Sequence, residues 1–129
     1  MKTLIVDDDN IMRRILKRTA MGLGHEVTGC ADAEHALESL QNEQYSLIIL
    51  DWMLPGMDGI ELCRMIRQMP RGDLPFIIMV TAKDKYEDLI KVLDAGADDY
   101  IAKPVDVKFL KTRITVAERM TRKLHSLSG

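Results

Sequence analysis

Three aspartates stand together near the start of the chain, Asp7, Asp8 and Asp9, directly behind the apolar run Leu4, Ile5 and Val6. A fourth, Asp51, closes a second apolar run, "SLIILD"; further on, Thr81 closes "PFIIMVT" and Lys103 closes "YIAK". Carboxylates brought within a few ångströms of one another raise each other's pKa unless a cation neutralises them. A hard divalent ion with oxygen ligands meets that need, and magnesium is typically held by one or two carboxylates together with waters and a phosphate. An ammonium opposite such an ion completes a clamp for a phosphoryl group. The two charges neutralise its equatorial oxygens while a carboxylate oxygen attacks phosphorus in line. The Thr81 hydroxyl then has a phosphoryl oxygen to which it can donate.

These residues meet only if the chain brings its apolar runs side by side. The runs cover 3–7, 25–30, 46–51, 75–80 and 100–102. Between them lie segments of helical period, "NIMRRILKRTAMGL", "DAEHALESLQ", "DGIELCRMIRQM" and "KYEDLIKVLDAG", with a last one over about 107–127. In the first, Ile11, Met12, Ile15, Arg18 and Thr19 sort to opposite faces. Five strands each followed by a helix make a βα pattern, and a continuous apolar strand such as 47–50 implies burial on both faces of a parallel sheet. Gly22 and Gly24 end the first helix, Gly96 ends the fourth, Asp58 is placed to cap the third, and Asp9 leads into the first. The expected fold is a single doubly wound α/β domain. All its strands end at one edge, and ligands of such sheets bind beyond that edge. Four of the five strand ends deliver polar groups there; the second ends in Gly29-Cys30 and delivers no charge.

Composition narrows the rest. With 129 residues, 47% of them hydrophobic, the chain is one domain's worth with a real core. A formal net charge of -2 shows no basic excess, which argues against wrapping nucleic acid or lying on an anionic membrane, so the expected partner is a protein or a small molecule. Cys30 and Cys63 are far apart and outside any CxxC, as expected of reduced core thiols. No apolar run approaches the ~18 residues of a membrane span, and the stretch behind Met1 is too short for a signal peptide, so the expected location is the cytoplasm. There is no low-complexity linker or repeat beyond the βα unit. His25, His35 and His125 show no ligand spacing and read as surface or structural residues. Methionines 12, 21, 65 and 69 read as core filler, and Trp52 as a partly exposed fluorescent reporter beside Asp51.

In order and spacing, "VDDD", "LDWMLPGMDG", "VTAKD" and "GADDYIAKP" resemble the signature of response-regulator receiver domains of two-component signalling, the family that includes the bacterial chemotaxis regulator. The resemblance runs from Lys2 to about Met120. It implies a flavodoxin-like five-stranded parallel sheet of order 2-1-3-4-5 with helices on both faces. The receiver domain would fill 1–125, with 126–129 a tail or the start of a connector to an output domain. By resemblance, Asp51 takes a phosphoryl group from a phosphohistidine on a sensor histidine kinase or phosphotransfer protein. Asp8, Asp51 and the main-chain carbonyl of Met53 bind Mg²⁺, for which Mn²⁺ can substitute, and Asp7 acts through a metal-bound water. Lys103 pairs with the phosphate, and Thr81 with Ala82 forms the phosphate-binding switch. Tyr100 either turns inward with Thr81 or simply packs at the edge of the sheet. The bond before Pro104 is cis. Met53 and Lys83 border the path of the hydrolytic water, and an apolar Met53 implies a long-lived phosphoryl group.

The resemblance also implies a domain that catalyses only its own modification, with the face of the fourth helix, fifth strand and fifth helix switching an output domain, a target or a second copy. "GADDY" and Arg113 match the charge pattern of the DNA-binding branch. Where that branch places an Arg–carboxylate pair across a dimer interface, this chain has Leu89 and Phe109, which implies either an apolar contact between copies or intramolecular packing. Leu110, Ile114, Ala117, Thr121 and Leu124 follow a heptad-like step, as a seam continuing into a connector or as a face packed on the sheet. No DNA-binding segment is evident. Two rivals share parts of the pattern. A Mg²⁺-dependent aspartyl-nucleophile phosphatase would carry a second acid where Met53 stands, and a flavodoxin-like binding module would need a phosphate-cradling loop where "DDDN" stands.

Overall fold

The structure, a computed structural model, describes residues 1–128, with side chains through Leu124. The side chain of His125 and those of the expected tail 126–129 lie outside the described residues. The first half of the chain forms β1 (Lys2–Val6), α1 (Asn10–Gly22), β2 (Glu26–Cys30), α2 (Ala33–Asn42) and β3 (Leu47–Leu50). It continues as α3 (Gly59–Gln68), β4 (Phe76–Thr81), α4 (Tyr86–Asp94), β5 (Asp99–Ala102) and α5 (Val107–Ser128). The strands form one sheet in the order β2-β1-β3-β4-β5, and every pairing is parallel. The fold is the doubly wound α/β sheet that the βα pattern predicts.

Side-chain alternation along the strands builds two cores. Leu4, Val6, Ile48, Leu50, Ile77 and Met79 point toward Ala36 of α2, Leu62, Cys63 and Ile66 of α3, and Val92 of α4. Ile5, Leu47, Ile49, Ile78 and Val80 point the other way, onto Leu16 and Ala20 of α1 and Leu110, Ile114 and Ala117 of α5. Burial on both faces is why the central strands read as unbroken apolar runs. Leu110, Ile114 and Ala117 have no exposed surface and Thr121 is buried, so the heptad-like step of α5 is spent inside the domain.

Helix starts follow their caps. Asp9 accepts from the N–H groups of Ile11 and Met12, Asp32 from that of His35, and Asp58 from that of Glu61. α4 starts at Lys85 without a side-chain cap. Its exit needs Gly96, whose φ is +108° and whose missing Cβ leaves room for the Arg67 side chain. Arg67 is tied down in turn: it donates to the carbonyls of Gly72, Pro75 and Gly96 and to Asp98. On the other face His25 joins β1 to α5, its Nε2 donating to Glu118 and its Nδ1 meeting the Thr3 hydroxyl, at 2.7 Å each. Both histidine and arginine close the sheet at the end away from the aspartates.

Several expectations need correction. Trp52 is only 8% exposed, because its ring folds into the core with Leu54 and Ile60 instead of standing in solvent. Met21 and Met65 lie on the outer faces of α1 and α3 and are exposed, not core filler. Ile11 is 72% exposed, whereas Thr19 is buried and satisfied by donating to the Ile15 carbonyl at 2.8 Å. Cys30 and Cys63 are free and buried as expected.

The turn that carries Asp51 into α3 has no spare room. A Cβ on Gly59 would stand 2.1 Å from the Asp51 carbonyl oxygen and 2.8 Å from Trp52 Cα, whereas one on Gly22 would meet nothing within 4 Å. Gly59→Ala is therefore expected to cost about 2–3 kcal/mol in urea denaturation. Gly22→Ala should be neutral or stabilising by up to about 1 kcal/mol. Equal effects of the two substitutions would contradict the close approach.

Candidate metal and phosphoryl-transfer site

The chain order reverses between β1 and β3, and the aspartates lie in the crevice above these two strands. The ladder carries each one residue past its strand: the Asp7 N–H donates to Cys30 and that of Asp51 to Val6, at 3.1 and 3.0 Å. Asp7 is fully buried and Asp51 nearly so, while Asp8, next along the turn, is exposed. One oxygen from each of Asp7, Asp8 and Asp51 can be chosen so that all three lie within 4.8 Å of one another. Lys103 closes the cluster, its Nζ 2.7 Å from Asp51 and 3.2 Å from Asp7.

Local bonds hold the other oxygens. One Asp7 oxygen accepts the Asp9 N–H at 2.9 Å, and the remaining Asp51 oxygen accepts the Met53 N–H at 3.2 Å. Lys103 is delivered by β5, its N–H donating to the Thr81 carbonyl, and the Lys103–Pro104 bond is cis as expected. Thr81 is buried, and its hydroxyl oxygen accepts the Lys83 N–H at 3.3 Å. Ala82, beside it, is exposed. Tyr100 packs against the α2–α3–α4 core with its hydroxyl enclosed and without a partner. The Met53 side chain is 58% exposed.

The electrostatics follow from this packing. Burial pushes the Asp7 carboxyl above the ordinary carboxylate range, and the Asp51 charge adds to the rise; the Asp9 N–H and Lys103 oppose it without cancelling it. Burial works against the Lys103 charge as well, but its hydrogen bond to Asp51 and the fields of Asp51 and Asp7 outweigh that, and the ammonium titrates above its usual value. Lys103 is thus the internal counter-ion of two buried carboxylates. The cluster presents a hard, all-oxygen donor set, one exposed carboxylate and a fixed ammonium to whatever enters from above.

Some contacts had no signal in spacing alone. The Lys83 ammonium lies over the Trp52 ring, 4.8 Å from its centre, and Arg13 donates to the Asp7 carbonyl at 2.7 Å. Arg113 does not stand free for a second copy: it binds Asp99 of its own chain through two nitrogens. Phe109 stays 48% exposed beside Arg113, and Leu89 is half-buried.

Residues 3–115 match the response regulator receiver domain family. The chain belongs to that family. The receiver domain is similar to the transcriptional regulatory protein AfsQ1 of Streptomyces coelicolor, 40% identical over 116 residues, which cover 90% of this chain and 50% of that protein. It is also similar to the response regulator MprA of Mycobacterium avium, 37% identical over 122 residues, covering 95% of this chain and 53% of that one. The chain thus spans about half the length of these curated relatives. Among solved structures, a CheY-like receiver domain protein of Methanospirillum hungatei superposes with a TM-score of 0.86 at 34% identity, over 95% of this chain and 96% of that one. Like these relatives, the receiver domain is a signalling domain of two-component systems, with the sheet order that the resemblance implied. No helix among the described residues is long and apolar enough to cross a membrane.

The raised Asp7 carboxyl has a testable sign. Folding favours its protonated form, so its contribution to stability is present at acid pH and is lost as pH rises through the raised folded value. Asp7→Asn keeps the neutral form throughout. Without divalent cations the variant is expected to melt higher than wild type at neutral pH, by about 5 °C, with the gap closing below about pH 4. Thermal melts across pH check this; a variant that melts lower at neutral pH would contradict it.

Proposed function

We propose that Asp51 is the phosphoacceptor of this receiver domain and that its donor is a phosphohistidine on a sensor histidine kinase or phosphotransfer protein. The observation that carries the reading is the pairing of Asp51 with Lys103 at 2.7 Å inside a cluster that also holds Asp7 and Asp8. The donor set is carboxylate oxygen throughout and fits Mg²⁺, or Mn²⁺ in its place. Asp8, Asp51 and the Met53 main-chain carbonyl would hold the ion directly and Asp7 through a water. When bound, the ion supplies charge neutralisation for the transferring phosphoryl group.

In the transfer, an Asp51 oxygen forms a bond to phosphorus as the bond from phosphorus to the donor imidazole breaks, leaving an acyl phosphate on Asp51. The added dianion gives Lys103 a new oxygen partner. It also draws the Thr81 hydroxyl away from the Lys83 N–H, while the Ala82 main chain lines the same oxygens. Tyr100 responds to the space that Thr81 vacates, and the equilibrium shifts on the α4-β5-α5 face. That face carries Tyr86, Ile90, Leu93 and Phe109, all exposed, which suits an apolar contact with an output domain, a target protein or a second copy. Water later hydrolyses the acyl phosphate, so the domain modifies itself and turns over no free substrate. The cytoplasm, where such kinases present their phosphohistidine, is the proposed location.

Incubation with acetyl phosphate and Mg²⁺ is expected to add one phosphoryl group by intact mass, lost on Asp51→Asn and on chelation. A wild-type chain that gains no mass would end the reading. Because the apolar, exposed Met53 offers nothing to orient the attacking water, Met53→Asn is expected to shorten the phosphoryl lifetime several-fold. An unchanged or longer lifetime would remove Met53 from that role.

A further inference from the structure

β2 lies at the edge of the sheet with β1 as its one neighbour. The Glu26 N–H donates to the Met1 carbonyl, and the Cys30 carbonyl accepts the Asp7 N–H. In a parallel ladder, residues that turn both main-chain groups toward a neighbour alternate with residues that turn both away. Glu26, Thr28 and Cys30 therefore face β1, and Val27 and Gly29 turn their N–H and C=O groups outward. Among the described residues, no protein group bonds to these outward groups. Gly29 is exposed and Val27 half-buried, so the edge is open to another chain.

The surroundings of the edge say what kind of chain fits it. Toward α2 it opens on a groove of about 500 Å³, lined by Thr28 and Cys30 of the strand and by His35, Glu38 and Ser39 of the helix. Asp32 spends its charge on His35 at 2.8 Å, whereas Glu38 is exposed. Toward α1, a Cβ on Gly29 would stand 3.1 Å from Lys17 Cδ and 3.3 Å from Arg13 Cδ, so both cationic stems lie across the strand there. The Arg13 head is held by the Asp7 carbonyl and Asn10. Among the described residues, neither Glu38 nor Lys17 is in an ion pair. An added strand turns alternate side chains to the two faces of the sheet, and so meets Glu38 on one side and Lys17 on the other. Two copies pairing edge to edge would set Arg13 and Lys17 of one beside those of the other, and like charges oppose that.

We infer that the free edge of β2 is a docking site for an extended segment of another protein, whose side chains alternate between basic residues toward α2 and acidic residues toward α1. Hydrogen bonds to Val27 and Gly29 hold the backbone of the segment, and the alternation of charge selects it. β1 stands between this edge and the strand that carries Asp51, so a segment bound here leaves Asp51 uncovered. The inference holds whether or not Asp51 is the acceptor.

The test selects a displayed library of random linear peptides on the full chain and follows main-chain amide exchange in that chain. Before any peptide is added, the Val27 and Gly29 amides are expected to exchange freely and those of Thr28 and Cys30 slowly. A synthetic peptide of an enriched sequence should alternate basic and acidic residues, slow the exchange of Val27 and Gly29, and lose binding when alternate amides are N-methylated. Its affinity is expected to fall about tenfold or more on Val27→Pro, which removes an outward N–H and leaves the ladder to β1. It should fall comparably on Glu38→Lys and return when the facing basic residues of the peptide are made acidic. Circular dichroism like that of wild type shows that a variant is folded; if Val27→Pro is not, the charge swap at Glu38 decides. Slow exchange at Val27 and Gly29 in the free chain, whether from a second copy or from the chain's own packing, would overturn the inference. So would a library that yields no peptide sensitive to either substitution, or sensitive peptides without the alternation.

Discussion

Two carboxylates at the dry ends of adjacent buried strands set the constraint on which the rest of this domain depends. Asp7 and Asp51 are placed where water cannot separate their charges, and a buried unpaired ion costs far more than any one contact returns. Lys103 pairs with both from the opposite side of the crevice. The chain can make that bond only by running from β1 through β3 and β4 to β5 with all strands parallel, because only then do residues 7, 51 and 103 reach one edge. The ion cluster and the topology are the same fact seen at two scales.

The cluster is also incomplete as a charge balance. One ammonium faces two buried carboxylates and an exposed third, which leaves the crevice short of positive charge. That deficit suits the crevice to a divalent cation with oxygen ligands. A dianion entering the crevice would compete with the carboxylates for Lys103, and the neighbouring hydrogen bonds would have to be reassigned. Thr81 is tied to the Lys83 main chain and Lys83 to the Trp52 ring, so a change at Asp51 reaches the β4–α4 loop through only a few bonds. The loop leads to α4, a helix that starts without a side-chain cap and leaves much of its apolar surface in solvent. An element held this lightly is suited to respond.

The opposite end of the sheet is built to stay still. Arg67 spends its donors on three carbonyls and Asp98, and His25 ties β1 to α5 through Thr3 and Glu118. Buried polar groups that are fully partnered make rigid joints. The densest partnering of buried polar groups thus sits at the end of the sheet away from the aspartates.

Much of this was legible in the amino-acid sequence alone. Strand and helix periods, the capping aspartates and the polar residue closing four of five apolar runs depend on local backbone geometry, and that geometry is written in adjacent residues. The family signature then assigned a role to each of those strand ends. What only the tertiary structure decided are matters of which surfaces meet. Trp52 turns inward, Arg113 is satisfied by Asp99 of its own chain, and the heptad-like step of α5 is consumed against the sheet. That Val27 and Gly29 keep free main-chain groups follows only once β2 is known to be an edge strand with β1 as its one neighbour. Spacing along a chain reports the direction of a side chain within its own element; the neighbour it finds there belongs to another element, and packing alone selects it.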